Sequence, residues 1–280
     1  MYIIFDIGGT NTRVAASADL ETFGTPVKFK TPLNYDDGIQ AIHAAIAEVS
    51  KGETIKGLAG GIRGQLNQEK SGILSEVILT DWVDKHISAD IGITYNAPVY
   101  LENDTAIVGL GEAHYGGGRG YEIVAYHTVS TGVGGARLVN GTIDVARAGF
   151  EPGHQILDFD RSYLDASTPP TLENLVSGTA LQLARGVKPY EIPQDDAVWP
   201  ELAMRLAAGL RNTIVYWSPD VIVLGGSMIV GDPRILLDDI RFYTKGIVEG
   251  LTKCPRIVDA ELGDNGGLYG AIVLLKKTQR

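Results

Sequence analysis

The sequence has 280 residues, of which 44% are hydrophobic and 21% are charged, a composition that is ordinary for a soluble globular protein of one large or two smaller domains. The formal net charge of −10 argues against a nucleic-acid partner, which needs a basic surface, but phosphate ligands stay open because backbone amides and a metal ion bind these locally. The single cysteine, Cys254, excludes an intrachain disulfide and a zinc site built from cysteines.

The start of the chain carries no pattern of a secretion signal. Met1 leads directly into the apolar residues 2–5, with no basic segment before a long apolar stretch. No apolar run approaches the roughly 20 residues that a membrane helix needs. We therefore expect a cytoplasmic protein without a membrane partner.

The first half of the chain has the pattern of one α/β domain. Five short apolar segments are predicted to be strands: residues 2–5, 12–18, 25–30, 57–59 and 99–101. A helix is predicted between the third and fourth strands, with Asp36 as its cap and apolar residues at helical spacing. These apolar residues are Ile39, Ile42, Ile46 and Val49.

The second half partly repeats this order. Strands are predicted over 121–129, 135–139 and 220–224, and helices over 172–185 and 202–217. Glycine pairs recur after or within strands, at 8–9, 134–135, 225–226 and 266–267. The pattern alone leaves two interpretations open. These pairs are either four ordinary turns, or the places where two similar halves bring their backbones close to a ligand in a shared cleft.

Residues 6–13 (DIGGTNTR) form the most informative local string. Gly8 and Gly9 permit a tight turn that exposes backbone N–H groups, and Thr10 and Asn11 add side-chain donors. Asp6 is placed to hold a metal ion through water. A hairpin turn with a polar tip is the alternative, and for this string by itself it is the safer interpretation.

A second glycine loop follows at residues 130–135 (STGVGG), again between two predicted strands. Two such loops in corresponding places favour a pair of jaws around a phosphate chain, whereas a hairpin with a bulge is the alternative for this loop. The chain has no P-loop motif, and no Gly-x-Gly-x-x-Gly stands between a strand and a helix.

Four further polar residues are candidates for a functional site. Asp104 follows a predicted strand and precedes a helix, where it is either a helix cap or the general base of a phosphoryl transfer. Glu151 and His154 lie three residues apart in a Gly/Pro-rich turn, an arrangement typical of a surface hydrogen bond but also suited to sugar hydroxyls. Glu173 starts a helix and by default is a favourable charge at its N-terminus.

Together these strings resemble the ROK family of sugar kinases and sugar-responsive repressors over nearly the whole chain. Residues 6–13 are similar to the first phosphate motif, and residues 130–135, continuing to 140–141, to the second. Residues 221–227 resemble the adenosine-binding motif, and residues 264–271 resemble the closing helix. The stretch 79–82 is similar to the one that family glucokinases carry before a tryptophan.

The resemblance implies two RNase-H-like α/β domains of the actin-like ATPase fold flanking an interdomain cleft. A small sugar-side domain is expected over 1–107 plus 267–280, and a large nucleotide-side domain over 108–266. The implied activity is phosphorylation of a hexose hydroxyl by ATP and Mg²⁺, with Asp104 as general base. A sugar or nucleotide sensor without catalysis and a chaperone-like ATPase remain as rivals, and a homodimer remains open.

The resemblance also implies a set of site residues. The sugar-binding residues are Gly61, Asn103, Asp104, Glu151, His154 and Glu173. The nucleotide-binding residues are Gly8, Gly9, Thr10, Asn11, Arg13, Thr131, Gly132, Gly134, Gly225 and Gly226. Asp6 is expected to bind Mg²⁺ through water. Glucose is the first expected sugar, with fructose, mannose, allose and N-acetylhexosamines open.

The chain departs from the family pattern at two places. Leu164, Ala166 and Thr171 stand where the family has three zinc-binding cysteines, so we expect no zinc site and no metal to fix the tautomer of His154. Residues 60–64 lack a proline that is usual in the sugar-side loop, and we expect this change to affect sugar choice. No room is expected for the N-terminal helix-turn-helix of the family repressors.

Overall fold

The computed structural model describes residues 1–278. In this range the strands are β1 (Tyr2–Ile7), β2 (Asn11–Ser17), β3 (Val27–Lys30), β4 (Gly57–Ile62), β5 (Gln65–Leu66), β6 (Ile73–Ser75), β7 (Val99–Asn103), β8 (Ile123–Val129), β9 (Val133–Val139), β10 (Thr142–Ile143), β11 (Val221–Gly225) and β12 (Arg256–Asp259). The helices are α1 (Tyr35–Ser50), α2 (Ile87–Gly92), α3 (Asp104–Tyr115), α4 (Leu172–Val176), α5 (Gly178–Arg185), α6 (Val198–Trp217), α7 (Ser227–Val230), α8 (Leu237–Val248) and α9 (Gly266–Thr278). None of these helices is both long and apolar enough to span a membrane.

The chain divides into two compact units. The first unit comprises residues 1–111, 145–149 and those from 264 onwards, and the second comprises 112–144 and 150–263. The assignment of one unit to the sugar and the other to the nucleotide, with the predicted boundaries, stays a prediction.

Each unit is built on a five-stranded sheet of the same topology. The order is β3-β2-β1-β4-β7 in the first unit and β10-β9-β8-β11-β12 in the second. In both, the first three strands pair antiparallel and the last two join in parallel. Of the two interpretations that the glycine pairs left open, this repeat favours two similar halves.

The first sheet is covered on both faces because side chains alternate along β1. Phe5 lies in one hydrophobic cluster with Ile42 and Ile46 of α1. Its neighbour Ile4 lies in another cluster with Leu268 of α9. In the second unit, strands β8 and β11 share one large cluster with α4, α6 and α8.

Strand β4 is the most enclosed strand of the first sheet, since all six of its residues are buried. A Cβ atom at Gly60 would lie 2.2 Å from Cδ2 of Phe5, a separation that real Cβ atoms do not adopt. Glycine is therefore required at this position by the close approach of β1.

Two details differ from the sequence predictions. Asn34, not Asp36, caps α1, because its Oδ1 accepts a hydrogen bond from the amide of Asp37 at 3.1 Å. The predicted helix over 172–185 is two helices, α4 and α5, separated at Ser177, whose ψ of 158° is extended. The Ser177 hydroxyl accepts from the amide of Ala180 at 3.2 Å and so starts α5. The Ser177 side chain thus caps the N-terminus of α5, which favours the separation of α4 from α5.

A buried histidine lies in the second unit. His127 of β8 stacks on Trp217 with ring centroids 5.4 Å apart, and its Nε2 shares a hydrogen bond with the Thr213 hydroxyl at 3.0 Å. Its Nδ1 is buried without a hydrogen-bond partner. Burial lowers the pKa of His127 from 6.5 to about 4, because the charged ring would lose its hydration.

This histidine is expected to make the fold less stable in mild acid. Below pH 6.5 the unfolded chain binds a proton at His127, whereas the folded chain binds it only near pH 4. The free energy of unfolding therefore falls as the pH drops across this window, by about 3 kcal/mol in total. Asp6 works in the opposite direction, since its pKa in the folded state is raised to about 7 and the folded form binds the proton first. A comparison with a variant therefore isolates the histidine.

We expect His127→Gln to flatten the decline of the denaturation midpoint between pH 6.5 and 4.5. The matched control is His86→Gln, which removes an exposed histidine and should leave the decline unchanged. Denaturant titrations at half-unit pH steps measure both. Parallel curves for the wild type and His127→Gln would contradict the assignment.

Candidate functional site

In the first unit, two aspartates lie at the carboxyl ends of β1 and β7, the strands on either side of β4. The ladder places Asp6 of β1 beside Gly61 of β4, and Asp104 follows β7, the next strand of the sheet. A Cβ atom at Gly61 would lie 2.7 Å from Cγ2 of Ile107, 3.2 Å from Cα of Asp104 and 3.5 Å from Oδ1 of Asp6. The glycine therefore leaves open the space between the Asp6 carboxylate and the backbone of Asp104.

Both aspartates hold their protons more tightly than usual. The pKa of Asp6 is raised to about 7, first by burial and then by the charges of Asp104 and Asp264, against the opposing charge of Arg13. The pKa of Asp104 is also raised by burial, while the amide of Thr105 and the charge of Arg63 pull it back down. A carboxylate with a raised pKa is a better proton acceptor near neutral pH, as a general base requires.

The helix-cap role at the start of α3 belongs to Asn103. Its Oδ1 accepts from the amides of Thr105 at 3.0 Å and Ala106 at 3.1 Å, and its Nδ2 donates to the carbonyl of Gly64 at 3.2 Å. Asp104 is the first helical residue, and only its Oδ1 accepts, from Thr105. Its Oδ2 accepts no hydrogen bond from the described residues, which leaves it available to a substrate hydroxyl.

The first glycine loop joins β1 to β2. The amide of Gly8 donates to the carbonyl of Asn11 at 3.1 Å, and the Thr31 hydroxyl donates to the carbonyl of Gly8 at 2.7 Å. The amides of Gly9 and Thr10 make no hydrogen bond with any described residue. The hydrogen bonds at Gly8 hold the loop in place, and its two unsatisfied N–H donors could bind a phosphate group.

Arg13 of β2 faces carboxylates. Its Nη1 lies 3.7 Å from Oδ2 of Asp6, and its Nη2 donates to Oδ2 of Asp264 at 2.5 Å. Its predicted contact with the nucleotide stays a prediction. The charges of Asp104 and Asp264 both act on Asp6, and the binding of a hydrated divalent cation through Asp6 stays a prediction.

The second glycine loop joins β8 to β9 in the second unit. The amides of Thr131 and Gly132 make no hydrogen bond with any described residue, and Gly134 lies within β9 opposite Thr128. The Ser130 hydroxyl lies 3.1 Å from the hydroxyl of Ser227, the first residue of α7. The predicted phosphate loop and the predicted adenosine motif are therefore neighbours within this unit.

Gly225 ends β11, and Gly226 follows it beside this loop. Gly226 has a φ of +88°, and a Cβ atom there would lie 2.3 Å from the carbonyl oxygen of Val129. A left-handed backbone and close packing thus both require glycine at position 226.

The predicted sugar-binding residues of the second unit gather near the start of β9. Glu173, in the first turn of α4, accepts the amide of Val133 at 2.8 Å. The turn that contains Glu151 and His154 rests on the same strand, because a Cβ atom at Gly153 would lie 2.1 Å from the carbonyl oxygen of Val133. His154 is exposed, and its amide donates to the carbonyl of Glu151 at 3.1 Å.

Sequence reasoning did not predict the ion pairs of the first unit, of which that of Arg63 lies beside Gly9. Arg63 follows β4, and its Nε donates to Oε1 of Glu76 at 2.9 Å. Glu76 lies in no motif of the sequence. Residues 60–64, which contain Arg63, stand out only because they lack the usual proline. The pairing depends on the fold of the intervening segment, which no local pattern specifies.

The absence of zinc stays a prediction. Leu164 lies against the hydrophobic cluster of the second unit, and residues 1–278 contain no group of three histidine, cysteine or acidic side chains placed to hold a metal ion. We expect elemental analysis of untagged protein to find less than stoichiometric zinc. Activity should also survive a zinc-selective chelator when Mg²⁺ is supplied, and loss of activity there would contradict the prediction.

A family model described as "ROK family" matches residues 2–278. A fructokinase of Pediococcus pentosaceus is 29% identical over 230 residues, which is 78% of each chain. The xylose repressor of Bacillus subtilis is 22% identical over 206 residues, covering 68% of this chain and 54% of the repressor.

Likeness to a solved structure extends over the whole fold. The crystal structure of a ROK family glucokinase from Streptomyces griseus, in complex with glucose and AMPPNP, superposes with a TM-score of 0.81 at 25% identity and covers 99% of each chain. Together with the two matched five-stranded sheets, this likeness confirms the predicted fold class, two α/β domains of the actin-like ATPase type.

Proposed function

The chain belongs to the ROK family, and we propose that it is an ATP-dependent kinase that phosphorylates a hydroxyl group of a hexose. The observation that carries this proposal is the geometry around Asp104. A buried carboxylate with a raised pKa and one uncommitted oxygen lies beside Asp6, the last residue but one of the strand that leads into the free amides of Gly9 and Thr10. A base and a phosphate cradle are the two parts that phosphoryl transfer needs.

In the proposed reaction, the oxygen of the sugar hydroxyl attacks the γ-phosphorus of ATP. A new oxygen–phosphorus bond forms while the bond to the β,γ-bridging oxygen breaks, and its electron pair leaves with ADP. The hydroxyl proton passes to Oδ2 of Asp104. Mg²⁺, bound through water at Asp6, would supply charge neutralisation of the phosphate oxygens.

In the second unit the proposal assigns phosphate contacts to the amides of Thr131 and Gly132. Sugar contacts are assigned to Glu151, His154 and Glu173, a set of acceptors and a donor suited to hydroxyl groups. The glucose and AMPPNP of the Streptomyces griseus enzyme support this assignment by family likeness. The cytoplasmic location is part of the same proposal.

Two rivals make different predictions. A sensor without catalysis is favoured by the likeness to the xylose repressor, but the buried base and both loops with free amides have no role in it. A chaperone-like ATPase accounts for the loops but not for the sugar set at Glu151, His154 and Glu173.

An ADP-release assay with a panel of hexoses tests the proposal. We expect ATP turnover to depend strongly on one or a few hexoses, with glucose as the first candidate and fructose, mannose, allose and N-acetylhexosamines as the others. Hexose binding without turnover would favour the sensor. ATP hydrolysis at the same rate with and without every sugar would favour the chaperone-like ATPase.

A further inference from the structure

Arg63 stands at the junction of the proposed base and the proposed phosphate loop. Its amide donates to the carbonyl of Ile7 at 3.0 Å, which extends the parallel pairing of β4 with β1 by one residue. From there its side chain reaches the glycine loop, because a Cβ atom at Gly9 would lie 3.1 Å from Cδ and 3.5 Å from Nε of Arg63. Its positive charge also acts on Asp104, where it opposes the effect of burial on the pKa.

A buried carboxylate holds this guanidinium in place. The side chain of Glu76 is only 5% exposed, and its Oε1 accepts from Nε of Arg63 at 2.9 Å and from the amides of Val77 at 2.9 Å and Ile78 at 2.8 Å. This anchor uses only the Nε–H of Arg63. The two terminal nitrogens, which carry four N–H donors, bond to none of the described residues.

The other cations of the first unit near the site, Arg13, Lys28 and Lys70, are already paired with carboxylates. Both terminal nitrogens of Arg13 face carboxylates, those of Asp6 and Asp264. Lys28 also pairs with Asp264, at 3.5 Å, and Lys70 pairs with Glu102. Arg63 therefore differs from these three cations in having its terminal donors unused.

We propose that Arg63 is a catalytic residue that donates hydrogen bonds to the γ-phosphoryl oxygens of ATP while the phosphoryl group passes to the sugar, an inference that rests on the proposed function. As the bond to the bridging oxygen breaks, negative charge spreads over the departing ADP and the phosphoryl oxygens. A planar, permanently charged guanidinium meets these oxygens with paired N–H groups. Arg63 transfers no proton, since Asp104 receives the proton of the hydroxyl.

Four variants separate this role from a structural one, of which Arg63→Ala serves for chemical rescue. Arg63→Met removes the charge, and Arg63→Lys keeps a charge without the paired donors. The double variant Arg63→Met/Glu76→Gln also removes the buried carboxylate that the single variant leaves without its partner. Circular dichroism and ADP binding establish which variants are folded.

We expect kcat to fall about 100-fold or more in both Arg63→Met and the double variant, and less in Arg63→Lys. The dissociation constant of ADP and the KM of the sugar should stay within about threefold of the wild type, because the contact forms in the transition state. Added guanidinium ion should restore part of kcat to an Arg63→Ala variant in a saturable way, which loss of a structural ion pair does not predict.

Each contrary result has a separate meaning. A double variant with wild-type kcat would overturn the assignment, because only the buried ion pair would then have mattered. A raised KM at unchanged kcat would also overturn it, and would assign Arg63 to sugar binding. A wild-type chain that turns over no hexose would overturn the proposed function together with this inference, whereas an active wild type with a fully active Arg63→Met variant overturns the inference alone.

Discussion

Asp104→Asn is expected to lower kcat by a factor of about 10² or more while sugar binding survives. The substitution keeps the size of the side chain, and the amide oxygen can still accept the hydrogen bond from Thr105 that Oδ1 accepts at 2.7 Å. It removes the carboxylate that is proposed to accept the proton of the sugar hydroxyl. Initial rates and calorimetric titration with the preferred hexose measure the two quantities separately.

The matched control is Asp36→Asn, which changes an exposed aspartate in the first turn of α1 and should leave kcat unchanged. The pH dependence adds a second check. Because the pKa of Asp104 is raised and only the ionised carboxylate is a base, kcat/KM of the wild type should fall as the pH drops, with its midpoint above the ordinary value of 3.8. A near-normal kcat in Asp104→Asn would refute the role of this residue.

Gly9→Val and Gly134→Val are each expected to abolish turnover and leave the protein folded. Neither glycine has a left-handed φ, so a side chain is not excluded by the backbone conformation itself. At Gly9, however, Cβ would stand 3.1 Å from Cδ of Arg63, on the loop whose free amides are proposed to face phosphate. The added methyl groups would then occupy the space of the ligand.

Gly24→Val is the control, because Gly24 lies in a loop of the first unit, as Gly9 does. A Cβ atom at Gly24 would meet only the carbonyl oxygen of Ala16 at 3.9 Å. ADP affinity and melting temperature should be measured on all three variants. Loss of stability without a specific nucleotide defect would indicate that the loops are ordinary hairpin turns. Folded Gly9 and Gly134 variants that bind ADP and phosphorylate sugar normally would refute the phosphate cradle and weaken the kinase assignment with it.

Most elements of the fold could be predicted because their burial follows local periodicity. The short apolar runs became strands within a few residues of the predicted bounds, and β4 and β7 continued past theirs. The error at 172–185 arose because the apolar spacing continues across Ser177, whereas the backbone there turns to an extended conformation. The wrong cap at α1 arose because Asn34 and Asp36 are both good caps, and only the three-dimensional path decides between them.

The parts of the candidate site that lie within one short sequence motif could be predicted. The first glycine loop and Asp104 lie in contiguous motifs of the first unit, so their closeness follows from the order of its strands. The ion pair of Arg63 with Glu76 spans 13 residues, and that of Arg13 with Asp264 spans 251. Such pairs depend on how distant segments pack, and no local pattern in a single sequence predicts them.

Strand β4 limits how this chain can change over generations. Any substitution that replaces a glycine introduces at least a Cβ atom. At Gly60 that atom would collide with Phe5, and at Gly61 it would collide with Ile107 and press on Asp104. These two glycines therefore tolerate no substitution, and accepted substitutions are expected beyond the strand, at exposed positions such as Gln65.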